Sequence, residues 1–355
     1  MKLSTFYINK KHIYSSQVSD IYQAEDINNN SQKVCLKIVD VDFSLPPHSI
    51  KQEIQLLKKL QHPHIINYIN DLKIDDDIIL VTTLYQYNLK ELLLCSSKYS
   101  RKTTKYDFNN PGYLTYVHRN ILSESDSIEW FKAMISGLKY IHSQGIIHRD
   151  IKPTNILFMT DDITKPIIGD FGISYDTKLS VRDNEPIDKK YIDVCTGIFK
   201  PPELILGITN YSYEIDIWSL AIVMTILYSP NFESILTKED KELHEEEEQD
   251  KQFKSSFYEV YISDLHLLSN IFKTLGTPNF TNPEDEYLYW PELGNDELHF
   301  KKFNVVNYPR LSIDDDILPR CTNEGIKKLF NKMIKYNRNT RITSNELDIE
   351  LRHLS

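Results

Sequence analysis

The sequence has few of the features that mark secreted, metal-binding or membrane proteins. Its four cysteines lie far apart and form no C-x-x-C pair, which argues against a zinc site or a disulfide framework. The longest nearly apolar run, 215–228, contains Asp216 and is too short to cross a bilayer. No basic, apolar and small-residue stretch opens the chain. We therefore expect an intracellular, reducing location in the cytoplasm or nucleus.

The chain also lacks an excess of positive charge. It has 41 Lys and Arg against 51 Asp and Glu, a formal charge of −10, so we expect neither nucleic acid nor a membrane as partner. Apolar residues make up 41% of the 355 positions, which is typical of a folded globular protein. A chain of this length can form either one two-lobed unit or two domains.

One loop concentrates the chemistry that phosphoryl transfer to a hydroxyl requires. Residues 148–155 read H-R-D-I-K-P-T-N. Asp150 is suited to orient the hydroxyl and accept its proton, and Lys152 to neutralise the moving phosphoryl group. Asn155 is suited to hold a metal ion, and the Asp170-Phe171-Gly172 tripeptide follows fifteen residues later. Asp170 and Asn155 supply the one or two protein oxygens that magnesium prefers beside phosphate oxygens.

Two residues near the N-terminus form a candidate phosphate anchor. Lys37 ends the apolar strand V-C-L-K, and a helix predicted over 50–60 follows it. Glu53 on that helix is the only acidic residue between Asp42 and Asp71. We therefore predict that Lys37 pairs with Glu53. The alternative is that Glu53 is only an exposed residue of a surface helix.

The later motifs indicate a scaffold. Asp216 opens a very apolar helix, so it needs partners, and backbone N–H groups of the 148–155 loop would provide them. Glu203, in K-P-P-E, is expected to pair with Arg341. A further helix is predicted to begin near Ser125 or Asp126 and to lead into the 148–155 loop, which is called the catalytic loop below.

In this order the motifs resemble the eukaryotic protein kinase family over nearly the whole chain. The stretch I-F-K-T-L-G-T-P at 271–278 is similar to the branch of the cyclin-dependent kinases. More narrowly, P-P-H at 46–48, D-F-G-I-S-Y-D at 170–176 and T-G-I-F-K at 196–200 resemble the monomeric CDK-activating kinases of budding yeasts.

The resemblance implies an α+β, two-lobed kinase fold over 1–355. A mostly β N-lobe would span about 1–82, a hinge 83–88, and a mostly helical C-lobe 89–355. Two insertions are expected near 95–123 and 231–254. The first is polar without helical periodicity, and its basic stretch 98–105 is more typical of a solvated loop than of a docking patch. The acidic run 238–250 in the second is expected to be solvated.

The resemblance also implies ATP and Mg²⁺ as cofactors and assigns their contacts. Thr196 would touch the catalytic Asp and Lys, while structural roles fall on His148, Arg149, Phe171, Gly172, Glu203, Asp216 and Arg341. The residues expected around ATP are Ile13, Ile21, Cys35, Lys37, Glu53, Thr82, Thr83, Leu84, Tyr85, Leu157 and Asp170.

The glycines that such a kinase has over the ATP phosphates are missing. Counted back from Ala24, their three positions are occupied by Tyr14, Ser16 and Ser19. Side chains there should hinder close approach of backbone N–H groups to phosphate. The loop is therefore either an altered phosphate cover or an ordinary hairpin without phosphate contact.

The implied reaction is ATP-dependent phosphorylation of the activation-segment threonine of a cyclin-dependent kinase, by a monomer that needs no cyclin. Gly197 replaces the arginine that proline-directed relatives carry after Thr196, which disfavours strict proline direction. Arg149 would ordinarily be neutralised by a phosphate on the activation segment, which the resemblance places at 173–203. The candidates to neutralise it are phosphorylated Thr177, Ser180 or Tyr191, or the carboxylates of Asp183, Glu185 or Asp188.

Two other functions remain open at this stage. The absent glycines favour a pseudokinase that binds partners and transfers nothing, although a scaffold released from catalysis has no reason to retain both metal ligands and the base. A kinase of the same branch with other protein substrates is the second alternative.

Overall fold

The computed structural model describes residues 2–40, 45–106, 114–159, 162–178, 185–237, 262–298, 300 and 305–354. None of the helices in these ranges is long and apolar enough to cross a membrane. The predicted α+β class is confirmed, with a sheet-rich N-terminal lobe and a helical C-terminal lobe.

The N-terminal lobe is built on one antiparallel sheet in the order β1-β2-β3-β5-β4. Side chains alternate across this sheet, so Val34 and Leu36 are buried on one face while Cys35 and Lys37 point to the other. The five strands are β1 (Tyr7–Ser15), β2 (Asp20–Asp26), β3 (Gln32–Asp40), β4 (Tyr68–Ile74) and β5 (Asp77–Thr83).

Helix α1 (Ile50–Leu57) packs beside this sheet and is shorter than predicted. The Ser49 side chain caps it by accepting a hydrogen bond from the Gln52 N–H. The predicted end at Leu60 was wrong, because the last turn tightens. The Lys59 N–H bonds the Leu56 carbonyl three residues back, at 2.9 Å.

Helices dominate the C-terminal lobe. Helix α5 is buried along nearly its whole length and forms the centre of the large core. The described helices of this lobe are α2 (Leu89–Cys95), α3 (Glu124–Ser143), α4 (Pro202–Ile205), α5 (Glu214–Leu227), α6 (Asp264–Leu275), α7 (Glu324–Met333) and α8 (Ser344–Arg352). The short strands of this lobe are β6 (Tyr87–Asn88), β9 (Ile146–Ile147), β10 (Ile156–Phe158), β11 (Ile167–Ile168) and β12 (Tyr175–Asp176).

The cap of α3 lies earlier than predicted. Ser123, and neither Ser125 nor Asp126, is the N-cap, and its Oγ accepts the Asp126 N–H at 3.0 Å. Ser123 has the extended backbone that an N-cap requires, whereas Ser125 and Asp126 already lie in the first turn.

The segment predicted as the hinge, 83–88, is more ordered than a plain connection. Thr83 still belongs to β5, and Tyr87 and Asn88 pair with Phe158 and Leu157 of β10. Only 84–86 lie outside regular structure. The chain between the lobes is therefore held at both ends by sheet hydrogen bonds.

The described part of the segment 95–123 contains a pair of β-strands where a loop without regular structure was expected. Strands β7 (Ser100–Tyr106) and β8 (Leu114–Asn120) pair antiparallel, and 107–113 lie outside the described residues. Of the second predicted insertion, 231–254, the structure describes only 231–237, in which Phe232 and Leu236 are buried in the core. Its acidic run, 238–250, lies entirely outside the described residues.

Candidate active site

The catalytic loop is anchored on the buried carboxylate of Asp216, as predicted. Its two oxygens accept the N–H groups of His148 and Arg149, both at 2.8 Å. His142 Nε2 on α3 lies 3.0 Å from the same carboxylate, a contact that the sequence analysis missed. The available signal was a polar residue four positions after Leu138, on the buried stripe of that helix.

Asp150 is held by four groups around its carboxylate. Oδ1 accepts the Thr196 hydroxyl at 2.7 Å and the Thr196 N–H at 3.2 Å. Oδ2 accepts from Asn155 Nδ2 at 2.9 Å and lies 2.8 Å from Lys152 Nζ. Lys152 also donates to the Thr196 hydroxyl at 2.8 Å, so the predicted contact of Thr196 with both residues is present.

Lys37 bridges the N-terminal helix and the D-F-G segment. Its Nζ lies 2.8 Å from Glu53 Oε2, which is the predicted pair, and 2.9 Å from Asp170 Oδ1. Burial alone would lower the pKa of Lys37, but Asp170 and Glu53 together hold that pKa well above its usual value. Burial likewise opposes ionisation of Asp170, yet Lys37 holds the pKa of Asp170 well below its usual range. Lys37 and Asp170 are therefore charged at neutral pH, whereas burial raises the pKa of Glu53 above its usual value even though Lys37 opposes that shift.

The D-F-G segment packs tightly against this cluster. The Phe171 N–H donates to Glu53 Oε1 at 3.3 Å, and its ring packs edge-on against His148 with centroids 4.9 Å apart. A Cβ on Gly172 would lie 3.2 Å from Asp170 Oδ1 and from Lys37 Nζ. Glycine at this position therefore permits the close approach of the charged groups.

Strand register brings several predicted nucleotide residues onto one face. Ile21 lies directly opposite Lys37, and Cys35, two residues before Lys37, lies opposite Thr82. Directly opposed residues share a face of a sheet, so these four point the same way. Burial, with smaller opposing effects, raises the pKa of the Cys35 thiol to about 11, so it is a neutral pocket wall.

The remaining predicted nucleotide residues differ in exposure. Ile13 on β1 is 52% exposed, whereas Leu84 is buried. Leu157, Thr83 and Tyr85 are half-buried. A Cβ on Gly169 would meet Leu157 Cδ1 at 2.7 Å, so the chain before Asp170 passes close under Leu157.

The glycine-free loop closes on its own serine hydroxyls. Ser16 Oγ accepts the N–H groups of Val18 at 3.2 Å and Ser19 at 3.0 Å. The Ser16 N–H in turn bonds the Ser19 carbonyl at 2.9 Å. The Tyr14 side chain is 60% exposed. Backbone donors that a glycine-rich loop offers to phosphate are thus occupied within the loop.

Arg149 faces a carboxylate from the activation segment. Its Nη1 lies 2.7 Å from Glu185 Oε1, and both side chains are buried. The contact is a charge pair, since no guanidinium nitrogen makes an aligned hydrogen bond within the described part of the chain. Glu185 is itself held by the Tyr191 N–H at 2.9 Å. Cζ of Arg149 also lies 4.6 Å from the centre of the Tyr175 ring.

The other residues predicted as possible partners of Arg149 make other contacts, are exposed or lie outside the described residues. The Thr177 hydroxyl donates to the Gly145 carbonyl at 2.8 Å, and Asp188 is exposed. Ser180 and Asp183 lie outside the described residues. Sequence reasoning missed Lys190, which is buried beside the Tyr175 and Tyr211 rings. Burial, and then the charge of Arg149, lowers the pKa of Lys190.

The scaffold pair predicted between Glu203 and Arg341 is present. Arg341 Nη1 and Nη2 donate to the two oxygens of Glu203 at 2.6 and 3.1 Å. Both side chains are fully buried. A bidentate, desolvated pair of this kind ties the end of the activation segment to the chain before α8.

Among the described residues, no three His, Cys, Asp or Glu side chains gather into a metal-binding cluster. Magnesium does not require one, because phosphate and water oxygens fill most of its coordination shell. Asn155 donates its amide hydrogens to Asp150, and Asp170 has one oxygen beyond the one that contacts Lys37. An amide oxygen and a carboxylate oxygen are thus a donor set that fits magnesium.

Several known proteins are similar to this chain in sequence. The family model "Protein kinase domain" matches residues 7–350. The serine/threonine-protein kinase CAK1 of Saccharomyces cerevisiae is 32% identical over 63% of this chain and 64% of its own length. A protein named as a probable cell division protein kinase of Encephalitozoon cuniculi is 30% identical over 62% of this chain and 70% of its own length. The serine/threonine-protein kinase csk1 of Schizosaccharomyces pombe is 24% identical over 84% of this chain and 79% of its own length.

The family match covers almost every element described above, from β1 to α8. The alignment with the budding-yeast relative spans less than two thirds of that protein, so its individual activity does not transfer with it. The assembled Lys37, Asp150 and Asp170 groups agree with the family match. The chain therefore belongs to the protein kinase family and carries a serine/threonine protein kinase domain.

Proposed function

We propose that this protein transfers phosphate from ATP to the activation-segment threonine of cyclin-dependent kinases and does so without a cyclin. The observation that carries the catalytic part is the assembled site, in which Lys37 contacts both Glu53 and Asp170 while Asp150 contacts Lys152 and Thr196. Both the Lys–Glu pair and the D-F-G carboxylate must be in place for a kinase to be active.

The reaction follows from these positions. The substrate hydroxyl oxygen forms a bond to the γ-phosphorus as the bond to the β,γ-bridging oxygen breaks, which leaves ADP. Asp150 accepts the hydroxyl proton, and the contacts on both of its oxygens fix its orientation. Lys152 stabilises charge on the transferred group, and Lys37 positions the nucleotide phosphates.

Asn155 and Asp170 would hold magnesium, which supplies charge neutralisation between the phosphates. Lys37 keeps the pKa of Asp170 low, so this carboxylate is ionised and available at any physiological pH. The Asn155 contact with Asp150 couples the metal ligand to the base.

The choice of a cyclin-dependent kinase as substrate rests on sequence and backbone together. Gly197 has a φ of +50°, a conformation that favours glycine and would strain the arginine of proline-directed relatives. A target threonine followed by a residue other than proline suits this change. Similarity to CAK1 supports the same target class.

Activity without an activating phosphate is part of the proposal. Glu185 already supplies a carboxylate to Arg149 at 2.7 Å. A phosphate on the segment would perform the same neutralisation in other kinases. The unphosphorylated enzyme therefore has its catalytic loop held in place.

Phosphate transfer from labelled ATP with magnesium tests the proposal. Unphosphorylated protein made in bacteria is given an unphosphorylated, cyclin-free cyclin-dependent kinase or a generic basic protein, with Asp150→Asn as control. We expect wild type alone to label the activation-segment threonine. Preferential labelling of the basic protein would favour other substrates, and ATP binding without any labelling would favour a pseudokinase. A need for phosphorylated Thr177 or Ser180 would contradict the role of Glu185.

A further inference from the structure

The sequence around the β7–β8 hairpin carries an excess of positive charge. Residues 98–120 contain five Lys or Arg and one Asp, in a protein whose formal charge is −10. Arg101 and Arg119 lie directly opposite each other in the ladder, and both are exposed. Like charges at directly opposed positions destabilise a β-ribbon. The fold therefore holds two arginines together at a cost to its own stability.

A third arginine adds to this cluster. Arg320 Nη2 donates to the Leu122 carbonyl at 3.0 Å, just beyond the end of β8. Burial, and then the nearby charge of Arg119, lowers the pKa of Arg320. Within the part of the chain that the structure describes, none of the three guanidinium groups pairs with a carboxylate. Arg101, Arg119 and Arg320 are named here the arginine cluster.

The base of the hairpin is anchored to the helical core, which holds the backbone that carries Arg101 and Arg119. The Asn120 N–H bonds the Pro230 carbonyl at 2.8 Å, and its buried side chain donates to the carbonyls of Leu227 and Ser229 at 2.8 and 2.7 Å. Tyr99, just before β7, is buried edge-on against Trp130. Little ordering entropy would be lost at this base when a partner binds.

The same hairpin face includes apolar surface. Val117 lies two residues from Arg119, which places both on one face, and it is 40% exposed. Thr103, opposite Val117, is also exposed. A face that combines guanidinium groups with an apolar side chain fits a peptide with carboxylates and an apolar residue. The net negative charge of the whole protein repels a long polyanion such as nucleic acid more than a short acidic segment, whose few carboxylates would meet the arginine cluster alone.

We propose that the outward face of the β7–β8 hairpin, together with Arg320, is a docking surface for an acidic segment of a protein partner. Carboxylates of the partner pair with the arginine cluster and relieve the repulsion between Arg101 and Arg119. The surface is separate from the residues that transfer phosphate. Loss of docking would therefore leave the proposed kinase activity intact, so the docking proposal and the proposed function can be tested separately.

Fluorescence anisotropy of a labelled, glutamate-rich peptide containing one leucine tests the surface on the full-length protein. We expect Arg101→Gln/Arg119→Gln to bind the peptide roughly tenfold more weakly than wild type, because two exposed charge pairs are lost. Lys33→Gln/Lys59→Gln removes the same charge from exposed sites on the N-terminal lobe and should bind like wild type. Added salt should weaken binding to wild type more than to the arginine variant.

A stability measurement separates docking from folding. Arg119→Glu places opposite charges across the ribbon, so its melting temperature should equal or exceed that of wild type while peptide binding is lost. Equal peptide binding by wild type and both arginine variants would overturn the proposal. Tighter binding of a short DNA duplex or of anionic vesicles, lost in the same variants, would also overturn it. Peptide binding that appears only after deletion of 238–261 would overturn the proposal as well, because the chain's own acidic run would then be what occupies the surface.

Discussion

Replacing Glu185 by glutamine tests the idea that a carboxylate of this chain does the work of an activating phosphate. Glutamine keeps the shape of the side chain and an oxygen for the Tyr191 N–H, but it removes the charge facing Arg149. Arg149 is fully buried and Lys190 lies nearby, also buried. The substitution therefore leaves buried positive charge without its described counter-ion.

The expected loss of stability is large for one neutral substitution. Removing one partner of a buried ion pair costs about 3 to 5 kcal/mol. For a protein of this size that loss lowers Tm by roughly 4 to 7 °C. Glu350→Gln is the matched control, because Glu350 pairs with Lys332 at 2.7 Å while both are about 40% exposed. An exposed pair contributes at most about 1 kcal/mol, so this control should shift Tm little.

Turnover should fall together with stability. Arg149 donates its N–H to Asp216, and its carbonyl accepts the Cys195 N–H at 2.9 Å, one residue before Thr196. A shift of Arg149 therefore displaces both the catalytic loop and the segment that leads to Thr196, and these two segments together hold Asp150. A displacement of a catalytic group by about 1 Å can lower the rate a hundredfold. Urea unfolding and single-turnover transfer on unphosphorylated protein measure the two effects. A Glu185→Gln variant within about 0.5 kcal/mol of wild type and fully active would refute the reasoning.

Three further changes probe the site and its scaffold. Asp150→Asn should lower kcat roughly 10²- to 10⁴-fold with ATP affinity retained, because only the proton acceptor is lost; weak ATP binding by calorimetry would contradict this. Ser16→Gly/Ser19→Gly should free loop N–H groups and lower the Michaelis constant for ATP, whereas an unchanged value would mean that the loop does not cover the phosphates. Arg341→Met should destabilise the fold by about 3 to 5 kcal/mol in urea, because Glu203 is left buried and unpaired; a loss below about 1 kcal/mol would show that the pair is not needed.

Contacts near the catalytic loop were predictable because each motif residue has a specific chemical need. A carboxylate inside the apolar helix α5 requires buried donors, and the loop N–H groups of His148 and Arg149 meet that need. Lys37 ends the apolar run V-C-L-K and Glu53 is the only acidic residue between Asp42 and Asp71, so their pairing followed from position. The register of β3 with β2 and β5 then places Lys37 beside the expected adenine residues.

The hairpin at 100–120 was missed although its sequence carried a signal. Thr and Tyr occur at 103–106, Thr, Tyr and Val occur at 115–117, and N-P-G lies between them. This is the pattern of two strands around a turn. The high content of polar and basic residues suggested a solvated loop instead, because one ribbon does not bury enough apolar surface to be recognised by periodicity alone.

The sequence by itself determined the order of the motifs, the chemistry of each group and the class of fold. Those properties depend on residue type and short spacing, which the chain states directly. The tertiary structure alone decided that Glu185 faces Arg149, that Lys190 lies beside the same rings, and that Arg101 and Arg119 stand together. Such contacts depend on how distant segments pack and on which backbone path buries the most surface. No local propensity encodes that choice.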